Sequence, residues 1–151
     1  MKRTKKLQIQ HLDQKIASVE AFPGRPTNGW INTIRTSLNI SLKQLGAMMN
    51  IAPQSVMDME VSEKGGKISL NSLEKVASAL NMKLVYGFLP TDGSFEKMIE
   101  KQALITAHKI VMRTNATMKL ENQQVSKARL EKAIKELASE IKDEMPRYLW
   151  D

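Results

Sequence analysis

The sequence predicts an all-helical protein with one short strand, and three features predict it. Apolar residues recur at spacings of three and four from Trp30 to Leu80. Capping residues stand where those patterns begin. The core-forming residues are aliphatic or sulfur-containing, with Met 10 and aromatics at only 5%, a mix that suits helices better than sheets. A chain of 151 residues can hold one domain, or one small domain with helical arms, but not two full cores.

Residues 1–27 read as a basic N-terminal helical arm and linker, closed by FPGRPT (Phe22 to Thr27), whose two prolines and glycine cannot continue a helix. In 28–90, Trp30, Ile31, Ile34 and Leu38 make one face of a first core helix. Ser41 with Gln44 forms a capping box that opens a second, burying Leu42, Leu45 and Met49. After the short turn at Asn50 and Ile51, Pro53 takes the first position of a third helix, where a missing amide hydrogen costs nothing. Val56, Met59 and Glu60 continue it. Ser69 or Asn71 caps a fourth helix bearing Leu70, Leu73, Val76, Ala77 and Leu80, with Asn81 as its stop.

From Met82 to Leu89 both alternating faces are apolar, with Leu84, Tyr86 and Phe88 on one, so the stretch reads as a single buried strand. The chain offers no second strand. Either a symmetry-related copy pairs with it, making Leu84, Tyr86 and Phe88 a dimer strand, or it is an extended tail packed on its own domain. LPTDG (Leu89 to Gly93) breaks the chain before the C-terminal helical dimerisation or partner region, 91–151. There Phe95, Met98, Ile99, Ile105 and Met112 line one long helix, and Leu130, Ile134, Leu137 and Ile141 line another at near-heptad spacing. Asn115 to Thr117 either separates the two as a hairpin or lies inside a continuous helix.

Charge and chemistry narrow the function. Lys and Arg number 23 against 16 Asp and Glu, a net charge of +7, which favours an anionic partner. The excess is greatest at the start, where residues 1–27 hold six basic and two acidic groups. Cysteine is absent and histidine occurs twice, so disulfide scaffolds, thiolate metal sites and cysteine nucleophiles are excluded. There is no glycine-rich phosphate loop, nucleophile elbow or His-x-Glu element. His108 stands beside apolar positions on a helix and His11 has no identifiable partner; both read as structural. No catalytic residue, metal or cofactor is expected. No apolar run is long enough to span a bilayer and no apolar segment follows the basic start, so a cytoplasmic protein is expected.

Two short helices joined by a tight turn, the second polar on one side, make a helix-turn-helix, a device that sets its second helix into a major groove. The run SLKQLGAMMNIAPQSVMDME, Ser41 to Glu60, resembles the helix-turn-helix of Xre-type phage repressors, with Leu45 and Gly46 at the close helix contact and Val56 in the core. SLNSLEKVASALNMKL fits the helix that follows. With NGWINTIRTSLNIS before it, KLVYGFLP after it and PRYLWD at the C-terminus, the chain resembles a narrower family, mobile mystery protein A, found on mobile elements. The resemblance is strongest from Asn28 to Pro90.

It implies a sequence-specific DNA-binding regulator, an autorepressor of its own operon, acting as a homodimer on a double-stranded operator. It also implies a neighbouring gene for mobile mystery protein B, a Fic-domain protein. An alternative function follows: an antitoxin-like protein that binds and neutralises that Fic-domain partner, with DNA binding as its regulatory arm.

Position by position, the resemblance puts Pro53, Gln54, Ser55, Met57 and Asp58 on the base-reading face. The Gln54 amide can both donate to and accept from adenine. Ser55 and Asp58 can bond bases or phosphate-linked water, and Asp58 can instead act as a repulsive filter or accept from cytosine. Met57 meets a thymine methyl or is plain packing. Ser41, Lys43, Lys64, Gly66 and Lys67 are phosphate candidates. Lys2, Arg3, Lys5 and Lys6 make either a minor-groove arm or a solubilising tail. Arg35 and Glu60 occupy the family's structural ion pair. Ala52 replaces the usual cap residue, Pro53 replaces a side chain that can read bases, and the loop from Val61 to Ile68 is longer than the commonest form. The family's usual base contacts therefore do not transfer directly.

Overall fold

The computed structural model describes residues 2–19, 24–120 and 126–151. Among these the protein is all-helical: α1 Lys2–Ala17, α2 Trp30–Ser37, α3 Leu42–Met49, α4 Pro53–Lys64, α5 Leu70–Ala79, α6 Phe95–Leu120, α7 Lys127–Glu144 and a closing 3-10 turn, Arg147–Trp150. They form two compact units, a central one, Phe22–Gly87, and a terminal one that combines Met1–Ala21 with Phe88–Asp151. Phe22 and Pro23 of the expected linker lie outside the described residues.

The central unit is built on caps. Ser41 Oγ accepts from Gln44 N at 3.1 Å and Gln44 Oε1 accepts from Ser41 N at 2.8 Å, so both ends of the capping box are closed. Asn50 ends α3 in the left-handed region at φ 56°, which asparagine tolerates better than most residues. Pro53 is the first residue of α4. Ser69 caps α5 by accepting from Ser72 N at 3.1 Å, and Asn81, again at φ 56°, follows that helix.

Ile31, Leu45, Val56 and Val76, one from each of α2 to α5, form the buried centre of this unit. Leu45 and Val56 are fully buried. The turn between α3 and α4 lies so close that a Cβ on Gly46 would come within 2.7 Å of the Ile51 carbonyl oxygen.

In the terminal unit α6 and α7 run antiparallel, since the end of α7 meets the start of α6 through Lys142 with Glu96 and Glu100. The helix passes through Asn115 to Thr117 without a break. Its buried stripe is Ile99, Ala103, Thr106, Ala107 and Asn115, not the expected Ile105 and Met112, which are exposed. Ala103 and Ala107 share their core cluster with Ala138 and Ile141 of α7, and small side chains let two helix backbones approach closely. Size, more than hydrophobicity, selected that face. Leu149 folds back and is fully buried; its carbonyl accepts from Gln102 Nε2 at 2.9 Å and Thr106 Oγ1 at 3.3 Å.

Helix α1, expected as a separate arm, belongs to this unit. Asp13 accepts from the amides of Phe95 at 2.7 Å and Glu96 at 3.3 Å, capping α6 from a distant part of the sequence.

The stretch from Met82 to Leu89 forms no strand, and the described residues contain none. Only Leu84 is even partly buried. The reason is that one isolated strand has no ladder to join within a single chain. Among the described residues, no helix is long and apolar enough to cross a membrane.

Replacing Gly46 by Ala forces the α3–α4 turn outward, because the obstructing atom is backbone. The expected cost is about 1–3 kcal/mol of central-unit stability, read by urea denaturation; an unchanged midpoint would refute the close contact.

Candidate functional site

Helix α4 is divided along its length, and the division defines the candidate site. Its C-terminal half is held from three directions. The Arg35 guanidinium grips Glu60 with Nε to Oε1 at 2.5 Å and Nη2 to Oε2 at 3.2 Å. Asn32 Nδ2 adds a bond to Glu60 Oε2 at 3.0 Å, while Arg35 Nη1 donates to the Ile40 carbonyl at 2.9 Å. The pair is largely buried, with side-chain exposures of 13% for Arg35 and 10% for Glu60.

One turn further along, Glu63 Oε1 accepts from Ile31 N at 2.9 Å and supplies the cap that Gly29 cannot. A side chain at Gly29 would collide with it, since a Cβ there would lie 2.5 Å from Glu63 Oε1. Arg25 closes the end of α4 by donating to the carbonyls of Glu63 at 2.9 Å and Lys64 at 3.4 Å.

Electrostatics follow the geometry. For Glu60, burial pushes the pKa up, but the hydrogen bonds from Arg35 and Asn32 and the Arg35 charge outweigh it, leaving the carboxyl below its ordinary value. The hydrogen bond to Glu60 holds the Arg35 guanidinium above its own.

The N-terminal half of α4 is free. Pro53, Gln54, Ser55, Met57 and Asp58 are all exposed, whereas Val56 between them points into the core. Gln54 Nε2 donates to Asp58 Oδ1 at 3.1 Å, a pairing across one helical turn. The amide has two hydrogens; with one held by Asp58, the other and Oε1 remain available. Ser41, Lys43, Lys64, Gly66 and Lys67 are exposed as well, all in the same unit. Gly66 has φ 73°, a conformation that costs glycine little.

Of the basic start, Arg3, Lys5 and Lys6 are exposed on α1, in the terminal unit; the Lys2 side chain lies outside the described residues. His11 and His108 are both exposed. Sequence reasoning missed Arg25, Asn32 and Glu63. Only the acidic side chain at position 63, one turn after Glu60, hinted at a second inward-facing group.

No known protein family, curated protein or solved structure matches this chain.

Replacing Arg35 by Met strands Glu60, at an expected cost of about 3–5 kcal/mol. Because the folded-state pKa of Glu60 is depressed, its stabilising contribution is complete above the ordinary glutamate range and disappears as pH falls through the depressed value. Chemical denaturation across acidic pH should therefore show declining stability for the native chain and a flatter profile for Glu60→Gln. Parallel profiles would contradict the ion pair's role.

Proposed function

We propose that this chain is a sequence-specific DNA-binding regulator in which α3 and α4 act as a helix-turn-helix, α4 entering the major groove. The observation that carries the reading is the division of α4: Glu60 and Glu63 are fastened inside the protein while Gln54, Ser55 and Asp58 stand exposed on the opposite part of the helix. A helix held in this way presents polar groups to a groove without itself needing to reorganise.

Gln54 reads adenine, with its free N–H on N7 and its carbonyl oxygen on the N6 amino group. Asp58 orients that amide through the bond at 3.1 Å, so it works as a positioning residue beside its role as a repulsive filter or an acceptor from cytosine. Lys43, Lys64 and Lys67, with the Ser41 hydroxyl and the helix-start amides of Leu42 and Lys43, hold phosphates and supply affinity without sequence information; the Gly66 amide is already committed to the Glu63 carbonyl at 3.0 Å and takes no part. Arg3, Lys5 and Lys6 add to the general attraction of a chain carrying +7. The biological role that fits is repression of its own operon in the cytoplasm, without an enzymatic activity or a cofactor.

A second reading adds a protein partner, a Fic-domain protein neutralised by this chain. The observation in its favour is that Tyr148 and Trp150 remain exposed on either side of the buried Leu149, as two aromatic groups held ready for an apolar contact.

Gln54→Ala should lose about 1–3 kcal/mol of binding to the operator, about tenfold to a hundredfold, with little change on a scrambled duplex. Asp58→Ala should reduce the preference for operator and strengthen binding to the scrambled duplex, because a negative charge is removed. Fluorescence anisotropy measures both. Equal losses on both duplexes for Gln54→Ala would refute base reading.

A further inference from the structure

Directly after α5 the chain exposes the apolar segment that a single copy leaves without a ladder. The last ordinary backbone bond there is Met82 N to the Ala77 carbonyl, at 2.7 Å. From Lys83 to Leu89 no backbone group is hydrogen bonded among the described residues. Pro90 then ends the run of available donors. Within it, Phe88 is 88% exposed and Tyr86 69%, and Val85 and Leu89 are more than half exposed.

The central unit carries an open, mainly apolar groove of about 240 Å³, lined by Trp30, Ile34, Leu73, Ala77 and Leu80 and by the start of this segment from Met82 to Val85.

We propose that the segments Lys83 to Leu89 of two copies pair as antiparallel strands, and that each copy's Phe88 fills the partner's groove. The midpoint of the hydrogen-bonding run is Tyr86, so a two-fold axis there pairs Tyr86 with its counterpart and sets Phe88 opposite Leu84. Cross-strand neighbours share a face, and Leu84, the most buried residue of the segment, is among those that line the groove. On the other face, Val85 meets Gly87, where added atoms have open space.

Several observations favour a second copy as the occupant. The segment is uncharged from Leu84 to Thr91, and in this register the two Lys83 side chains lie at opposite ends of the ribbon, each facing Leu89, so like charges do not meet. It supplies both things that are missing, a strand to complete the ladder and a ring to fill the groove. The area is also adequate: at about 150–250 Å² per aromatic side chain, four rings with Val85, Leu89 and Met82 from each copy approach the roughly 1,200 Å² at which specific interfaces begin. Pairing satisfies backbone groups while the rings leave water, and neither gain is open to one copy alone.

This inference does not depend on the DNA-binding reading. If both hold, the ribbon joins two helix-turn-helix units for an operator of two half-sites. Its test therefore contains no DNA.

Sedimentation equilibrium of the full chain should give twice the 17.0 kDa monomer mass. Phe88→Glu should weaken self-association by about thirtyfold or more while the helical circular dichroism is unchanged, since that side chain is exposed in the single copy. The chain has no cysteine, which permits a clean cross-linking test of the register. Tyr86→Cys should form a covalent dimer on oxidation, whereas Val85→Cys and Gly87→Cys, displaced from the axis, should not. A monomeric native chain, or a dimer indifferent to Phe88→Glu with no preference for cross-linking at position 86, would overturn the proposal.

Discussion

The central unit depends on the attachment of α4 through two buried carboxylates. Glu60 lies in the fork of Arg35 and under the amide of Asn32, and Glu63 caps α2 at Ile31. Each carboxylate joins α4 to α2, and together they fix the rotation of α4 about its own axis. Apolar packing at Val56 holds the helix against the core but tolerates some rotation; hydrogen bonds from two successive turns, one of them bidentate, do not. Desolvating an ion pair stabilises little by itself, and its better attested use is to specify one arrangement.

That fixed rotation explains why one side of α4 is polar and unattached to the core. Among the residues of α4 that precede Glu60, Val56 and Met59 pack on the core, and the one side-chain hydrogen bond among the described residues is Gln54 to Asp58, within the helix itself. The remaining side chains are therefore free to meet a ligand. The lysines of the same unit add the positive charge that an anionic polymer requires. Arg25, by contrast, serves the fold, because its guanidinium satisfies the last carbonyls of α4, which would otherwise lack partners.

Much of the central unit is legible in the sequence because its signals are local. Ser41 with Gln44, Pro53, Ser69 and Asn81 each act within a few residues of themselves, and the structure uses each for the purpose its chemistry suggests. The Arg35–Glu60 pair is reached only through resemblance, since nothing local joins residues so far apart in the chain. Asp13, Arg25 and Glu63 escape a sequence reading for that same reason: each caps a helix that begins or ends elsewhere in the sequence. The α6 stripe misleads because hydrophobic period rewards Ile105 and Met112, whereas close helix packing rewards the small Ala103 and Ala107. The segment after α5 is recognisable as apolar and alternating, but it stays extended and largely exposed, because the described residues contain no strand for it to join.

In the proposed function the free face of α4 reads DNA sequence. Its most direct test is a titration of the full chain against the DNA upstream of its own gene and against a scrambled duplex, at about 0.15 M salt, where surface charge is realistically screened. A preference of about a thousandfold or more for the upstream duplex is the expected result. Equal binding to both, falling steeply with added salt, would show that the positive charge acts alone and would contradict base reading by α4.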